Sequence, residues 1–142
     1  MQVRRIIVPL AGSSVDADVI RVAATLAKPA KAEVIAIHVI EVRWNMPLDA
    51  VLDAENERGE NRLDEAVRIA HQLGVTFETE LLQAREAAAA IVDTARERKA
   101  DLIVLGMPFR RRLGRVYVGR TVVNVYTEAP CAVLAYRQEE TG

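Results

Sequence analysis

Short runs of apolar residues alternate along this chain with longer stretches in which apolar residues recur at every third or fourth position. The runs lie at residues 3–10, 34–40, 75–82, 100–105 and 131–136. Most of them lack polar alternation, which is typical of parallel strands that are covered on both faces. The periodic stretches lie at residues 15–28, 47–73, 87–99 and 119–127, and they indicate amphipathic helices. The pattern therefore predicts the element order β-α-β-α-β-α-β-α-β.

Polar residues, glycine and proline predict where the first two helices begin and end. Ser13 or Ser14 is expected to cap the first helix, because a hydroxyl oxygen can accept a hydrogen bond from a first-turn N–H. Pro29 is expected to stop that helix, because it lacks the N–H that a further turn requires. Pro47 suits the first turn of the second helix. The helical phase of the second helix continues across Gly59, although glycine weakens a helix interior by about 1 kcal/mol relative to alanine.

Strands that alternate with helices predict an α/β fold in which helices cover both faces of a parallel sheet. We expect a single, doubly wound, mostly parallel five-stranded sheet with strand order 3-2-1-4-5, formed by one domain of residues 1–142. In such sheets ligands bind at the carboxyl ends of the strands, where the strand order reverses. The loops after the first and fourth strands, residues 9–14 and 106–119, are therefore expected to flank a ligand crevice.

The charges of the chain are unevenly distributed. The net charge is −1, yet the segment 106–127 contains five arginines and no carboxylate, while the other residues carry 14 basic side chains against 20 acidic ones. Arginine binds phosphate oxygens well, and N–H groups at a helix start favour an anion. This segment therefore predicts a local anion site. The alternative, which the residues leave open, is a solvated loop whose glycines only turn the chain.

Composition makes several classes of function improbable. The single cysteine excludes an internal disulfide, and neither histidine has Cys or carboxylate neighbours at the spacing of a metal site. No apolar run reaches the roughly 18 residues of a membrane span, and no signal segment opens the chain. Six aromatic residues and an acidic remainder suit nucleic-acid binding poorly. We therefore expect a cytoplasmic protein that is not an enzyme, holds no metal and binds no nucleic acid.

Five separated stretches of the chain match the pattern of a known family. They are IIVPLAGS near the start, VIAIHVIE in the second strand, and ADLIVLG, GRTVVNV and APCAVLAYR in the last third of the chain. Together they resemble the universal stress protein family. The resemblance covers essentially the whole chain. It implies a nucleotide-binding-like fold, usually dimeric, and many members of the family bind ATP. A regulatory protein of the stress response is therefore the implied function.

The family's binding signature, Gly-x2-Gly-x9-Gly-[Ser/Thr], matches this chain only in part. Gly106 and Gly119 match its first and last glycines, whereas Phe109 and Arg120 stand at the middle glycine and the Ser/Thr position. Ala11 stands where the family has a nucleotide-contacting aspartate. These three departures predict that ATP is not bound in the family's usual way. The candidate ligands are ATP, ADP, AMP and cyclic AMP, and the candidate binding residues are Pro9, Leu10, Ala11, Val39, Gly106, Arg110, Arg111, Arg112, Gly119, Arg120 and Thr121.

Within this set the resemblance and the residue chemistry suggest a division of roles. Pro9, Leu10 and Val39 match positions that pack around the nucleoside. The arginines at 110–112 and Arg120 would hold the phosphate through their side chains, and the hydroxyl of Thr121 could add a donor.

The predicted partners come from the last strand and from the arginine segment. The strand at 131–136 is expected at a sheet edge, which is a liability unless it is paired, and the resemblance implies a homodimer through it. The MPFRRRLG stretch resembles members associated with amino-acid permeases or cation–proton antiporters. The alternative function is thus a dimeric interaction module that binds no nucleotide and regulates a membrane transporter. Trp44, near the predicted crevice, could stack on a base, anchor a partner or pack internally.

Overall fold

The structure of the protein is a computed structural model. The structure describes residues 1–108, the backbone of 111–112 and 115–116, and residues 119–139. The helices are α1 (Asp16–Ala30), α2 (Asp53–Gln72), α3 (Ala87–Glu97) and α4 (Arg120–Glu128). The strands are β1 (Arg5–Pro9), β2 (Glu33–Glu41), β3 (Phe77–Ala84), β4 (Leu102–Met107), β5 (Arg111–Arg112), β6 (Arg115–Val116) and β7 (Ala132–Arg137).

Five strands form one parallel sheet in the order β3-β2-β1-β4-β7. All neighbouring pairs are parallel, so the predicted order 3-2-1-4-5 and the doubly wound fold are confirmed. The order reverses at β1, whose neighbours β2 and β4 are reached by crossovers on opposite sides. The carboxyl ends of β1, β2 and β4 therefore surround the switch point at which such sheets bind ligands.

Alternate residues of each strand pack on opposite faces of the sheet, as the period of two requires. On one face Ile6 and Val8 of β1 pack with buried residues of α1 and α2. On the other face Ile7 packs with buried residues of α3 and α4. Both faces are covered, which explains why the strands are apolar without alternation.

The first helix differs from its predicted boundaries at both ends. Its first turn has no side-chain cap, because Val15 stands at the N-cap and the Ser14 hydroxyl donates to the Gln138 side chain. The prediction of a serine cap was therefore wrong. Pro29 lies inside the helix, because a proline in the final turn removes only one late hydrogen bond. The helix ends at Ala30, and its C-cap residue Lys31 adopts the left-handed conformation (φ 51°).

The second helix begins at Asp53 rather than near Pro47. Side chains from the end of β3 hold the preceding segment in an irregular path by binding its carbonyl groups. Gln83 donates from its side-chain amide to the carbonyls of Leu48 (2.9 Å) and Ala50 (3.1 Å). Because these carbonyl oxygens already accept hydrogen bonds from Gln83, they do not need the N–H groups of a helical turn as donors. This contact between distant residues could not be read from local sequence.

Gly59 lies in the unbroken interior of α2 and is buried. A Cβ there would approach Leu81 Cδ1 to 2.6 Å and His38 Cδ2 to 3.0 Å. The glycine therefore lets the helix lie against β2 and β3, and this packing outweighs its low helix propensity.

The arginine segment contains an element that the sequence did not suggest. Arg111–Arg112 and Arg115–Val116 pair as a short antiparallel ribbon, separate from the main sheet.

The last strand lies at an edge of the sheet, as predicted, with β4 as its neighbour. Its pairing with a second copy of the chain stays a prediction. Among the described residues, none of the helices combines the length and the apolar character that crossing a membrane requires.

Candidate functional site

A cavity of about 190 Å³ opens at the switch point of the sheet. It lies at the carboxyl ends of β1, β2 and β4 and is closed on one side by the first turns of α3 and α4. The residues that line it are Pro9, Leu10, Ala11, Asp16, Ile37, His38, Val39, Glu41, Ala87, Ile91, Leu105, Gly106, Thr121 and Val122. Most of these side chains are apolar, and the polar ones stand at strand ends and helix starts.

The structure brings six of the predicted binding residues together in this cavity. They are Pro9, Leu10, Ala11, Val39, Gly106 and Thr121. Gly119 and Arg120 lie next to it, at the start of α4, but do not line it. The Arg120 side chain is 79% exposed, and its guanidinium lies 3.9 Å from the Glu86 carboxylate. Arg110 lies outside the described residues, as do the side chains of Arg111 and Arg112.

The first-turn N–H groups of α4 lie beside the cavity. Gly119 is the N-cap with an extended backbone (φ −63°, ψ 147°), and no described side chain caps this helix. The first turn of a helix leaves N–H groups without intrahelical partners, and these groups carry the positive end of the helix dipole. An anion placed next to Thr121 would accept hydrogen bonds from these N–H groups and would lie at the positive end of the helix dipole.

His38 is buried in the cavity wall and bonded through both ring nitrogens. Its Nδ1 lies 2.7 Å from the Leu10 carbonyl oxygen, and its Nε2 lies 3.3 Å from Nη1 of Arg62. A carbonyl only accepts and a guanidinium only donates, so the neutral ring carries its proton on Nδ1. His38 is therefore a buried, hydrogen-bonded residue of the core.

Arg62 also packs against the loop between β1 and α1. Gly12 has φ +81°, and a Cβ there would lie 2.3 Å from the guanidinium carbon of Arg62. The loop thus needs glycine for its backbone conformation and for the space that Arg62 occupies. Through Arg62, α2 holds both this loop and His38 in place.

Asp16 contributes a carboxylate that sequence reasoning did not assign to the site. It accepts hydrogen bonds from the backbone N–H of Gly12 (2.8 Å) and Ala11 (3.3 Å). Burial raises the pKa of Asp16 above its ordinary value, although these hydrogen bonds and the Arg62 charge oppose the rise. From the sequence, its place in the first turn of α1 indicated only a favourable charge at a helix start.

The raised pKa of Asp16 predicts a pH-dependent difference between the wild type and Asp16→Asn. Folding favours the protonated carboxyl, so its contribution is fully present below the ordinary value of about 3.8 and is lost as the pH rises through the folded pKa. The free energy of unfolding of the wild type, relative to Asp16→Asn, is therefore expected to fall between pH 3 and pH 7. Urea denaturation at several pH values measures this difference. A difference that is constant, or that rises with pH, would contradict the burial effect.

Glu41 is a second carboxylate of the cavity that the sequence analysis missed. It ends β2 and accepts a hydrogen bond from the Ala87 N–H (3.0 Å), so it satisfies the start of α3. Its position at a strand end was the only available signal. The helix residues Ile91 and Val122 were missed for another reason, since helical periodicity marks a buried face but not what that face lines.

Comparison with known proteins identifies a family to which the sequence is similar. The sequence model of the universal stress protein family matches residues 2–137. A universal stress protein of Methanocaldococcus jannaschii is 32% identical over 141 residues, which cover 95% of this chain and 82% of that protein.

Solved structures of universal stress proteins share the fold. That of Archaeoglobus fulgidus in complex with dAMP is 26% identical, with a TM-score of 0.75 and coverage of 95% of this chain and 98% of the other. UspA of Lactobacillus plantarum is 28% identical, with a TM-score of 0.76 and coverage of 96% and 99%. On the strength of the family match across nearly its whole length, this chain belongs to the universal stress protein family.

Proposed function

We propose that this protein is a universal-stress-type regulatory protein that binds an adenine nucleotide in the cavity at the sheet switch point. The observation that carries the proposal is the meeting of an apolar cavity with the start of α4, which no side chain among the described residues caps. A flat aromatic base suits the apolar lining, and a phosphate suits the helix start. The A. fulgidus relative in complex with dAMP supports the same ligand class.

The size of the cavity suggests which part of the ligand is enclosed. At about 190 Å³ it is smaller than the roughly 300–1,000 Å³ of pockets that surround a whole drug-sized ligand. We expect the base to lie inside, against Leu10 and Val39, and the phosphates to lie outside, beside the start of α4. A phosphate there would neighbour Arg120 and the arginine segment.

The carboxylates of the cavity argue for an altered binding mode. Ala11 provides no carboxylate, but Asp16 places one in the same cavity wall and uses it to bind the loop N–H groups. These N–H groups are therefore not free to hold a phosphate at this end. The geometry favours a phosphate at the α4 end instead.

Filling the cavity at Thr121 is expected to weaken nucleotide binding. Thr121 lines the cavity from the first turn of α4 and is exposed, so Thr121→Trp should fold while its indole occupies the space of the base. The affinity for AMP, ADP, ATP or cyclic AMP, whichever binds the wild type, should fall at least about tenfold, a loss of about 1.4 kcal/mol. Isothermal titration measures the affinity, and the rise in the melting temperature of the protein on addition of the nucleotide gives a second measurement.

Thr127→Trp is the matched control, because Thr127 is exposed on the last turn of the same helix and lines no described part of the cavity. Its affinity should equal that of the wild type. No binding of any of the four nucleotides at millimolar concentration ends the proposal. Equal loss in both tryptophan variants would place the ligand elsewhere.

A further inference from the structure

A second, larger hollow of about 470 Å³ lies on the side of α3 that faces the edge strand β3. We call it the α3–β3 groove. Its floor is formed by Leu82 and Ala84 of β3 and by the small side chains of Ala89 and Ala90 on α3. The sheet edge at β3 is paired only with β2, and this face of the strand is left partly uncovered.

Trp44 stands at one end of the groove rather than in the nucleotide cavity. Its side chain is 77% exposed, yet Arg85 holds it, with the guanidinium carbon 5.0 Å from the ring centre. Arg85 is itself fixed, because it donates to the carbonyls of Arg43 (2.6 Å) and Met46 (2.8 Å). An exposed aromatic side chain that is already ordered loses little conformational freedom on binding, which favours its use as an anchor.

The rim of the groove is acidic. Four carboxylates line it; Glu80 pairs with Arg98 (3.0 Å) and Glu86 with Arg120 (3.9 Å). Asp93 and Glu97, one turn apart on α3, have no basic side chain within 4.0 Å among the residues that the structure describes. The one lining cation, Arg85, is engaged with backbone carbonyls. A negatively charged surface of this kind attracts cations and repels phosphate-bearing lipids and nucleic acids.

We propose that the α3–β3 groove binds a basic, apolar-anchored peptide segment of a partner protein. An apolar side chain of the segment packs against Trp44 and the alanine floor, while lysine or arginine side chains pair with Asp93 and Glu97. The 11 residues of α3 span about 16 Å, which matches a partner helix of about three turns. The groove is separate from the nucleotide cavity, so this inference does not depend on the proposed nucleotide.

Trp44 is the only tryptophan of the chain and therefore reports on this groove directly. The probe is a peptide of about 14 residues with leucine and lysine at helical spacing and no aromatic residue, and the control peptide has glutamate in place of each lysine. The lysine peptide is expected to shift the Trp44 emission to shorter wavelength in a saturable way. The glutamate peptide and vesicles of phosphatidylglycerol are expected to cause no shift.

Charge reversal tests the rim. Asp93→Lys/Glu97→Lys should weaken binding of the lysine peptide at least about tenfold, because two attractive pairs become repulsive. Glu60→Lys/Asp64→Lys on α2 is the matched control, with the same spacing, exposure and change of net charge, and should alter the affinity less than about twofold. The neutral pair Asp93→Asn/Glu97→Gln, which should be intermediate, keeps the test informative if the reversed variant folds poorly.

Each of the opposite results overturns the proposal. These are no shift with the lysine peptide at millimolar concentration, equal binding of the glutamate peptide, a shift with vesicles but not with the peptide, and equal losses in the groove and control variants.

Discussion

Ile103→Ala is expected to lower the free energy of unfolding by about 2–5 kcal/mol, because it leaves a cavity in the centre of the sheet. The Ile103 side chain is 0% exposed and lies on β4 between Ile7 of β1 and Val133 of β7. Stiff strands surround it and can close the space only in part. Urea denaturation followed by circular dichroism should show a lower midpoint with an unchanged slope.

Val123→Ala is the matched control for this prediction. Val123 is on the outer side of α4 with 45% of its surface exposed, and alanine is a better helix former than valine. Its free energy of unfolding should stay within about 0.5 kcal/mol of the wild type. Equal effects at the two positions would mean that β4 is not in the core.

Gly106→Ala is expected to destabilise the protein by about 1–3 kcal/mol through overpacking. The new Cβ would lie 2.5 Å from Val19 Cγ2 and 2.7 Å from Val15 Cγ1, and both valines are buried with little rotamer freedom. The helix α1 must therefore move away from β4. Because Asp16 lies at the start of that helix, the cavity at the sheet switch point should be distorted, and the affinity for the proposed nucleotide should fall together with the free energy of unfolding.

Gly119→Ala provides the same substitution in open space. Among the residues that the structure describes, no atom outside its chain neighbours lies within 4 Å of the Cβ position at Gly119, and its φ of −63° suits any residue. The weaker capping by alanine and the smaller entropy of its unfolded chain oppose each other, each by about 0.5–1 kcal/mol. We expect a net change near zero in thermal and urea unfolding. A loss as large as that of Gly106→Ala would contradict the packing argument.

The architecture could be predicted because it depends on patterns that are local in sequence. Unbroken apolar runs identify strands that are covered on both faces, and the alternation with helices leaves few topologies. The rule that parallel sheets bind ligands at strand ends then brought Pro9 and Gly106 into one site, and Val39 was added by the resemblance to the family. Thr121 followed from its place at the start of a helix.

The cap of the first helix and the start of the second helix could not be predicted, because they depend on contacts between residues that are distant in sequence. The prediction of a serine cap was wrong because Val15 stands at the N-cap and the Ser14 hydroxyl donates to Gln138, far along the chain. The start of α2 was misplaced because Gln83, far along the chain, binds the carbonyls before it. The directions of two side chains could not be predicted from the sequence either. Arg120 lies close to Glu86, and Trp44 lines the α3–β3 groove instead of the cavity at the sheet switch point.

Because Arg62 contacts both Gly12 and His38, we expect these three positions to vary together in evolution. A side chain at position 12 would displace the guanidinium, and a shorter residue at 62 would leave the imidazole without its donor. Exchange at any one of them is therefore expected to require adjustment at the others. Among homologues, the three residues should therefore be kept or replaced as a set.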